Sequence, residues 1–255
     1  HSSEISTNQE SSFFSSNPRV VTGLVLIILV AVMFINKTSA LILLVIVGLL
    51  ATKEWFDTYH SGDADKMPKD LIDKLNEYTE SILSDQNKQD ELNYGNKLAG
   101  NVKQEFMIEK DVMEKIGWGK FLASSVREWI RQTNKREITK FNIMNSWIVR
   151  QFKNEYNPSH WHNGHVSGVG YLKVPSNLGG TLQKDKAINN NGKLEMVHGS
   201  KAFLCKPTFR VTPRVGDFYF FPHYLMHAVY PFFDSDEERR SVSFNATVDQ
   251  SLFNE

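Results

Sequence analysis

Residues 156–165 read YNPSHWHNGH and contain three of the chain's eight histidines. Side chains two positions apart point to the same side of an extended strand, so His160 and His162 can share one face. A third imidazole, from His227, can close that face into a metal site. The alternative is that they are ordinary surface or core histidines, because an HxH pair alone is weak evidence. We therefore expect an extended segment that carries metal ligands on one side.

A cation follows the third histidine after twelve residues, in the run RRSVS at residues 239–243. The planar guanidinium of Arg239 can bind a carboxylate through two parallel hydrogen bonds. Imidazole ligands that leave open positions suit non-haem Fe(II) and O2 chemistry. These features predict a mononuclear iron centre with an acidic co-substrate. A surface ion pair with Glu237 or Glu238 is the alternative for Arg239, although Arg240, which faces the opposite way, fits that role better.

Short β-type runs alternate with turn sequences from residue 139 onward. Many short strands without intervening helices are typical of a sandwich or a jelly roll. We therefore predict a mainly β fold. The expected strands span residues 141–152, 166–174, 193–197, 215–221, 226–231 and 239–248.

The region before these strands has helical spacing. Pro68 begins one apolar stripe, and a second stripe runs from Leu122 to Ile130 after a break at residues 117–119. Both stripes predict helices that support the core. The polar residues 84–96 between them are expected to form a linker.

The overall composition gives no sign of a nucleic-acid partner. Lys and Arg number 29, as do Asp and Glu, so the formal net charge is zero. A hydrophobic content of 41% in 255 residues is enough for a substantial core. The single cysteine, Cys205, cannot form an intramolecular disulfide and is expected to be a small buried residue, not a nucleophile.

Two uncharged apolar runs, residues 20–35 and 40–51, precede the helical region. One helix through both would be about 48 Å long, whereas a bilayer's hydrocarbon core is about 30 Å thick. A transmembrane hairpin over residues 19–52, in contact with membrane lipid, is therefore expected. A single span with an interfacial segment, or a buried helical pair in a soluble fold, are the alternatives. Arg19 and Lys53 flank the hairpin and favour a cytoplasmic position for the rest of the chain.

The chain is thus expected to consist of four segments. They are a disordered tail (1–18), the membrane hairpin (19–52), a helical linker (53–95) and a β domain (96–255).

Five motifs follow one another between residues 156 and 245. They are YNPxHxH at 156–162, SGVGYLK at 167–173, PxxGDxxxFP at 213–222, HAVYP at 227–231 and ERRSVSFN at 238–245. This series resembles the Fe(II)- and 2-oxoglutarate-dependent oxygenase superfamily, and within it oxygenases of bacteria and marine bacterial viruses. The resemblance covers roughly residues 95–250. It implies a double-stranded β-helix with iron between its two sheets.

The resemblance also implies a set of metal ligands. His160 matches the first ligand and His227 the distal histidine. His162 occupies the position that usually carries Asp or Glu, and no acidic residue lies between Glu155 and Asp185. A three-histidine site, a two-histidine site with water or an anion, ligation by His165 in place of His162, and loss of activity are the alternatives.

The co-substrate site implied by the resemblance lies around Arg239. Its guanidinium would pair with the far carboxylate of 2-oxoglutarate, and Ser241 and Tyr171 would donate further hydrogen bonds. The two tryptophans nearby, Trp147 and Trp161, are expected to be packing residues.

The resulting expectation is a membrane-anchored Fe(II)- and 2-oxoglutarate-dependent dioxygenase that uses O2 to hydroxylate an unidentified substrate, with a peptidyl side chain as one candidate. Two alternatives remain. One is a cupin-like metalloenzyme that does not use 2-oxoglutarate, and the other is a catalytically silent jelly roll with a binding or structural role.

Overall fold

The structure is a computed structural model that describes residues 65–181, 183, 185–200 and 206–253. All of these residues lie in one compact unit. The expected tail and hairpin, the first part of the linker, and Cys205 lie outside the described residues, so those expectations stay predictions. Within the described ranges, no helix has both the length and the apolar character needed to cross a bilayer.

Ten strands form two antiparallel sheets. They are β1 (Asp65–Lys66), β2 (Gln104–Met107), β3 (Phe141–Gln151), β4 (Asn157–His160), β5 (Val166–Lys173), β6 (Leu194–Val197), β7 (Thr208–Val211), β8 (Asp217–Pro222), β9 (Met226–Val229) and β10 (Arg239–Val248). The larger sheet has the order β1-β8-β5-β10-β3-β2, and the smaller sheet has the order β4-β9-β6-β7. This jelly-roll-like arrangement confirms the predicted mainly β fold.

Strand β10 lies in the larger sheet between β3 and β5 and separates two environments. Its side chains alternate between the two faces of the sheet. Ser241 and Ser243 line a pocket on the inner face. Val242 and Phe244 are fully buried in the apolar core on the outer face. The alternation thus gives one strand both a core face and a pocket face.

Helices cover the outer face of the larger sheet. Leu75 and Leu122 have no exposed surface and belong to the same core as Val242 and Phe244. Burying a leucine side chain contributes roughly 2 kcal/mol, so these helices help to stabilise the sheet. Both predicted apolar stripes are confirmed. The helices are α1 (Lys69–Leu83), α2 (Gln86–Leu92), α3 (Lys110–Ile116), α4 (Trp118–Asn134) and α5 (Gln250–Phe253).

The segment over residues 84–96 is not the predicted polar linker, because it contains α2. The carboxylate of Asp85 accepts hydrogen bonds from the backbone N–H groups of Asn87 and Lys88 and so caps the helix. Leu92 anchors its end in the core. The predicted break after α3 is confirmed, since Gly117 has a left-handed φ of 83° between α3 and α4.

Candidate metal centre

Three histidines face one another at one end of the smaller sheet. His160 is the last residue of β4 and pairs with His227 on β9. His162 follows two residues later, where its backbone N–H donates to the carbonyl of His223 at 2.9 Å. One ring nitrogen from each of the three histidines lies within 4.8 Å of the other two. The fold therefore brings the three predicted ligands together.

The spacing of these rings fits a shared metal ion. The Nε2 atoms of His162 and His227 are 3.1 Å apart. Two nitrogens, each about 2.1 Å from one ion and at a right angle, would be about 3.0 Å apart. The ring centroid of His160 lies 5.0 Å from that of His162 and 4.3 Å from that of His227. A cluster of this size can hold a single ion.

Backbone carbonyls select the ring tautomer of two of these histidines. Nδ1 of His160 lies 2.7 Å from the carbonyl oxygen of Pro158, and Nδ1 of His227 lies 2.8 Å from that of Leu225. Because a carbonyl oxygen only accepts, each Nδ1 carries the proton and donates it. The lone pair is therefore on Nε2, where a metal can use it.

Burial keeps the three imidazoles neutral. It lowers the pKa of His160, and it lowers that of His227 to about 4. The pKa of His162 falls to about 3 through burial and repulsion from the neighbouring imidazoles. Metal ligation requires neutral imidazole, so the donors are in the required state at neutral pH. In the described part of the chain, no carboxylate joins this cluster.

His165 is not a member of the cluster, so the alternative ligand is not supported. Its Nδ1 accepts a hydrogen bond from the backbone N–H of Val248 at 3.1 Å. The residue lines a different depression, together with Trp129 and Tyr224.

A pocket between the two sheets extends from the histidines. Alternate residues of β3 and β10 form much of its wall, as expected for the inner face of a sheet. Apolar side chains lie between the polar ones, so the pocket can exclude water around the metal site. Its lining includes Trp147, Val149, Gln151, Asn157, Val169, Leu194, Phe221, Val229, Arg239, Ser241 and Ser243.

Arg239 presents a buried cation to this pocket. Only 2% of the residue is exposed, and it forms no ion pair with any described residue. Nη1 donates to Oε1 of Gln151 at 2.8 Å and to the carbonyl of Gly192 at 3.3 Å, whereas Nε has no partner among the described residues. Burial lowers the pKa of the guanidinium, which still stays charged at neutral pH. The surface ion pair considered for Arg239 is therefore excluded.

Two hydroxyl groups accompany this cation. Tyr171 is fully buried, and its ring centroid lies 5.2 Å from the Arg239 guanidinium. Its hydroxyl has no acceptor in the described ranges, and burial raises its pKa, so it remains a donor. Ser241 pairs with Tyr171 across β10 and β5 and lines the pocket. The predicted co-substrate residues thus lie together, and the Tyr171 hydroxyl and Arg239 Nε have unused hydrogen-bonding capacity.

Arg240 faces the opposite side of the sheet, as predicted, but it is not at the surface. It is fully buried and forms ion pairs with Glu238 and Glu80 at 2.6 and 2.9 Å. Glu80 lies on α1, which covers this face of the sheet. The helix therefore turns an expected surface pair into a buried one.

The two tryptophans have different environments. Trp147 is buried, and its ring centroid lies 5.7 Å from that of His162, so it packs against the metal cluster. Trp161 is 62% exposed, although it stands between the candidate ligands His160 and His162 in the sequence. The prediction that it is a packing residue is wrong.

Gln151 is a site residue that the sequence analysis did not identify. Its amide supports Arg239, and its position on β3 next to β10 brings it there. The sequence does contain a pattern that indicates it, because Trp147, Val149 and Gln151 are every second residue of β3 and therefore point to the same face of the sheet.

Comparison with protein families gives a match over the same region. The model of a family described as "Putative 2OG-Fe(II) oxygenase" matches residues 145–245, which include the three histidines and the residues around Arg239. No curated protein matches the chain in sequence.

Several solved structures have a similar arrangement. A prolyl-4-hydroxylase of Pseudomonas putida is 19% identical, with a TM-score of 0.46 over 72% of this chain and 90% of that chain. The viral collagen prolyl hydroxylase of Paramecium Bursaria Chlorella virus-1, in its 2OG complex, is 16% identical, with a TM-score of 0.39 over 59% and 80%. HygX of Streptomyces hygroscopicus, with nickel, 2-oxoglutarate and hygromycin B bound, is 12% identical, with a TM-score of 0.44 over 71% and 79%.

Proposed function

We propose that this chain, whose residues 145–245 match the model of a family of 2OG-Fe(II) oxygenases, is an Fe(II)- and 2-oxoglutarate-dependent oxygenase that hydroxylates a substrate entering the pocket beside the three histidines. It is an oxygenase whose metal is Fe(II) and whose co-substrate is 2-oxoglutarate. The metal and co-substrate together supply O2 activation, coupled to the decarboxylation of 2-oxoglutarate to succinate. The substrate is not identified, and a peptidyl side chain remains one candidate.

We assign metal binding to His160, His162 and His227. Their neutral rings converge, and the carbonyls of Pro158 and Leu225 orient two of them. Such supporting hydrogen bonds keep a ligand's lone pair directed at the ion. Trp147 packs against His162 and holds the third ring in place.

Arg239, Ser241 and Tyr171 would hold the far carboxylate of 2-oxoglutarate. A buried guanidinium without an anionic partner is costly, and an acid bound beside it would supply that partner. The observation that carries the proposal is this unpaired cation in the same pocket as three imidazole lone pairs. Gln151 positions the guanidinium by accepting from Nη1.

The proposal is tested by anaerobic binding of Fe(II) and 2-oxoglutarate to the 255-residue chain, followed by exposure to O2 and measurement of succinate. We expect binding and succinate from the wild type and from His165→Ala, and neither Fe(II) retention nor succinate from His227→Ala. Equal succinate from His227→Ala and the wild type would exclude His227 as a ligand. Turnover of O2 without any need for 2-oxoglutarate would favour the cupin-like alternative.

A silent binding module is the second candidate, and the histidine at position 162 favours it. Replacing an anionic ligand with a neutral one leaves the ion more positive and weakens the protein's hold on it. Failure of the wild type to retain Fe(II) in the same titration would support this candidate.

Membrane attachment through residues 19–52, with the oxygenase region in the cytoplasm, is a separate proposal that rests on the sequence pattern. We expect the full chain to stay with membranes during an alkaline carbonate wash. Its release into the supernatant would contradict a spanning segment.

A further inference from the structure

The inner face of the larger sheet continues beyond the pocket onto its edge strand, β2. Glu105 on β2 pairs with Val149 on β3, and Val149 lines the pocket. Residues directly opposite each other in neighbouring strands point to the same face of a sheet. The side chain of Glu105 is therefore on the pocket face, one strand beyond Val149.

The carboxyl group of Glu105 is buried and has no partner. Only 1% of the residue is exposed, and neither carboxyl oxygen has a hydrogen-bond donor among the described residues. A single 3-10 turn, Gly95–Lys97, covers it, because a Cβ on Gly95 would lie 3.4 Å from Oε2. Native proteins rarely leave a buried carboxyl unsatisfied, so an additional partner is expected.

A neighbouring charge of the same sign acts on Glu105. Within the described ranges it forms no ion pair, and Glu155 adds repulsion from nearby. The Glu155 carboxylate is itself held in place, because Oε2 accepts from the backbone N–H of Phe152 at 3.0 Å. Burial and this repulsion raise the pKa of Glu105 to about 7.

The unpaired buried side-chain groups on the strands of the larger sheet fall into two sets. Arg239 Nε and the hydroxyl of Tyr171 are donors without acceptors. Glu105 and Oδ1 of Asn145 are acceptors without donors, on β2 and β3. An acid satisfies the donors, whereas a group rich in N–H donors would satisfy the acceptors. The two sets therefore suit ligands of opposite charge.

We infer that Glu105 is a substrate-binding residue that receives a protonated amine or a guanidinium group of the substrate. Two free oxygens suit paired N–H donors, which give strong charge-assisted hydrogen bonds. A metal ion is a poorer fit, because Glu105 belongs to no group of three ligating side chains in the described part of the chain. The turn Gly95–Lys97 has to shift to admit the cation. The inference rests on the proposed function and defines its substrate class as cationic.

The test is a calorimetric titration of the 255-residue chain at pH 8, under anaerobic conditions with Fe(II) and 2-oxoglutarate. The probes are n-butylguanidinium and its neutral counterpart n-butanol. We expect n-butylguanidinium to bind the wild type and to bind Glu105→Gln at least tenfold more weakly. Glu91→Gln, which removes an exposed carboxylate from α2, is the matched control and should bind like the wild type. n-Butanol should bind none of them.

A second measurement uses the wild type alone. Because the carboxyl group must ionise to bind a cation, affinity should increase about tenfold from pH 6 to pH 8. This series decides the question if Glu105→Gln does not fold. Equal affinity of Glu105→Gln and the wild type, equal binding of both probes, or no binding of n-butylguanidinium would overturn the inference.

The same samples separate this inference from the proposed function. Fe(II) and 2-oxoglutarate retention is measured by equilibrium dialysis beside each titration. A wild type that retains both but does not bind n-butylguanidinium overturns the cationic substrate and leaves the oxygenase assignment intact. A wild type that retains neither overturns the proposed function, whatever the cation does.

Discussion

Replacing Arg239 with glutamine should weaken co-substrate binding while leaving the free protein at least as stable. The guanidinium is 2% exposed and has polar contacts with Gln151 and Gly192, but it has no carboxylate partner among the described residues. The uncompensated charge destabilises the ligand-free folded protein, whereas a bound acid would offset that cost. Arg239→Gln removes both effects.

The expected magnitudes follow from the burial of this charge. Truncating one partner of a buried charged pair costs about 2–5 kcal/mol, and a loss of about 3 kcal/mol raises the Kd for 2-oxoglutarate about 150-fold. Without 2-oxoglutarate, the free energy of unfolding should be unchanged or higher by about 1 kcal/mol. Arg240→Gln is the contrasting variant, because it breaks a buried ion pair with Glu238 and a second ion pair with the half-exposed Glu80. It should lower the free energy of unfolding by about 3 kcal/mol.

Two assays check this prediction. Anaerobic calorimetry gives the Kd for 2-oxoglutarate, and urea unfolding with and without 2-oxoglutarate gives the free energies. An Arg239→Gln variant that loses stability without the ligand as strongly as Arg240→Gln would show that the guanidinium is structural. An unchanged Kd would remove Arg239 from the co-substrate site.

Three other outcomes are expected. His162→Asp adds an anionic ligand and should tighten Fe(II) binding at least tenfold in equilibrium dialysis; equal or weaker binding would contradict the electrostatic reasoning. The pKa of Glu105 is raised from 4.5 to about 7, so the folded protein binds this proton more tightly than the unfolded chain does. The resulting contribution to the free energy of unfolding, about 3 kcal/mol, is fully present below pH 4.5 and is lost as the pH rises through 7. Urea unfolding between pH 5 and pH 8 should show this decline in the wild type and a smaller one in Glu105→Gln. Trp147→Ala should cost about 3–5 kcal/mol of unfolding free energy, and the exposed Trp161→Ala less than about 0.5 kcal/mol; similar losses would contradict the assigned environments.

Strand β10 shows how far periodicity predicts this fold. Its bounds, Arg239–Val248, are those expected from the sequence. A long strand with a different environment on each face produces a regular alternation that can be recognised without its partners. Strands β1, β2 and β7 have two to four residues and were not predicted, because their pairing depends on partners far away in the chain.

The site was predictable where it depends on local spacing and not where it depends on register. His160 and His162 share a face because of the two-residue period of an extended segment. Glu105 reaches the pocket face only because β2 pairs with β3 in one register. A single sequence carries no direct signal for that pairing. Arg240 was misjudged for a related reason, since the cover that buries it comes from α1.

The neutral ligand at position 162 changes the balance of charge in the whole pocket. In a site with an acidic ligand, that carboxylate offsets part of the metal's charge before the co-substrate arrives. With the proposed ligands, three neutral imidazoles and the Arg239 cation would leave the positive charge of both the ion and the guanidinium to the 2-oxoglutarate dianion. We therefore expect each partner to bind better when the other is present, and linkage requires this effect to be reciprocal. A low affinity for Fe(II) in the absence of 2-oxoglutarate is thus compatible with an active site, because the co-substrate brings the negative charge that the neutral His162 does not supply.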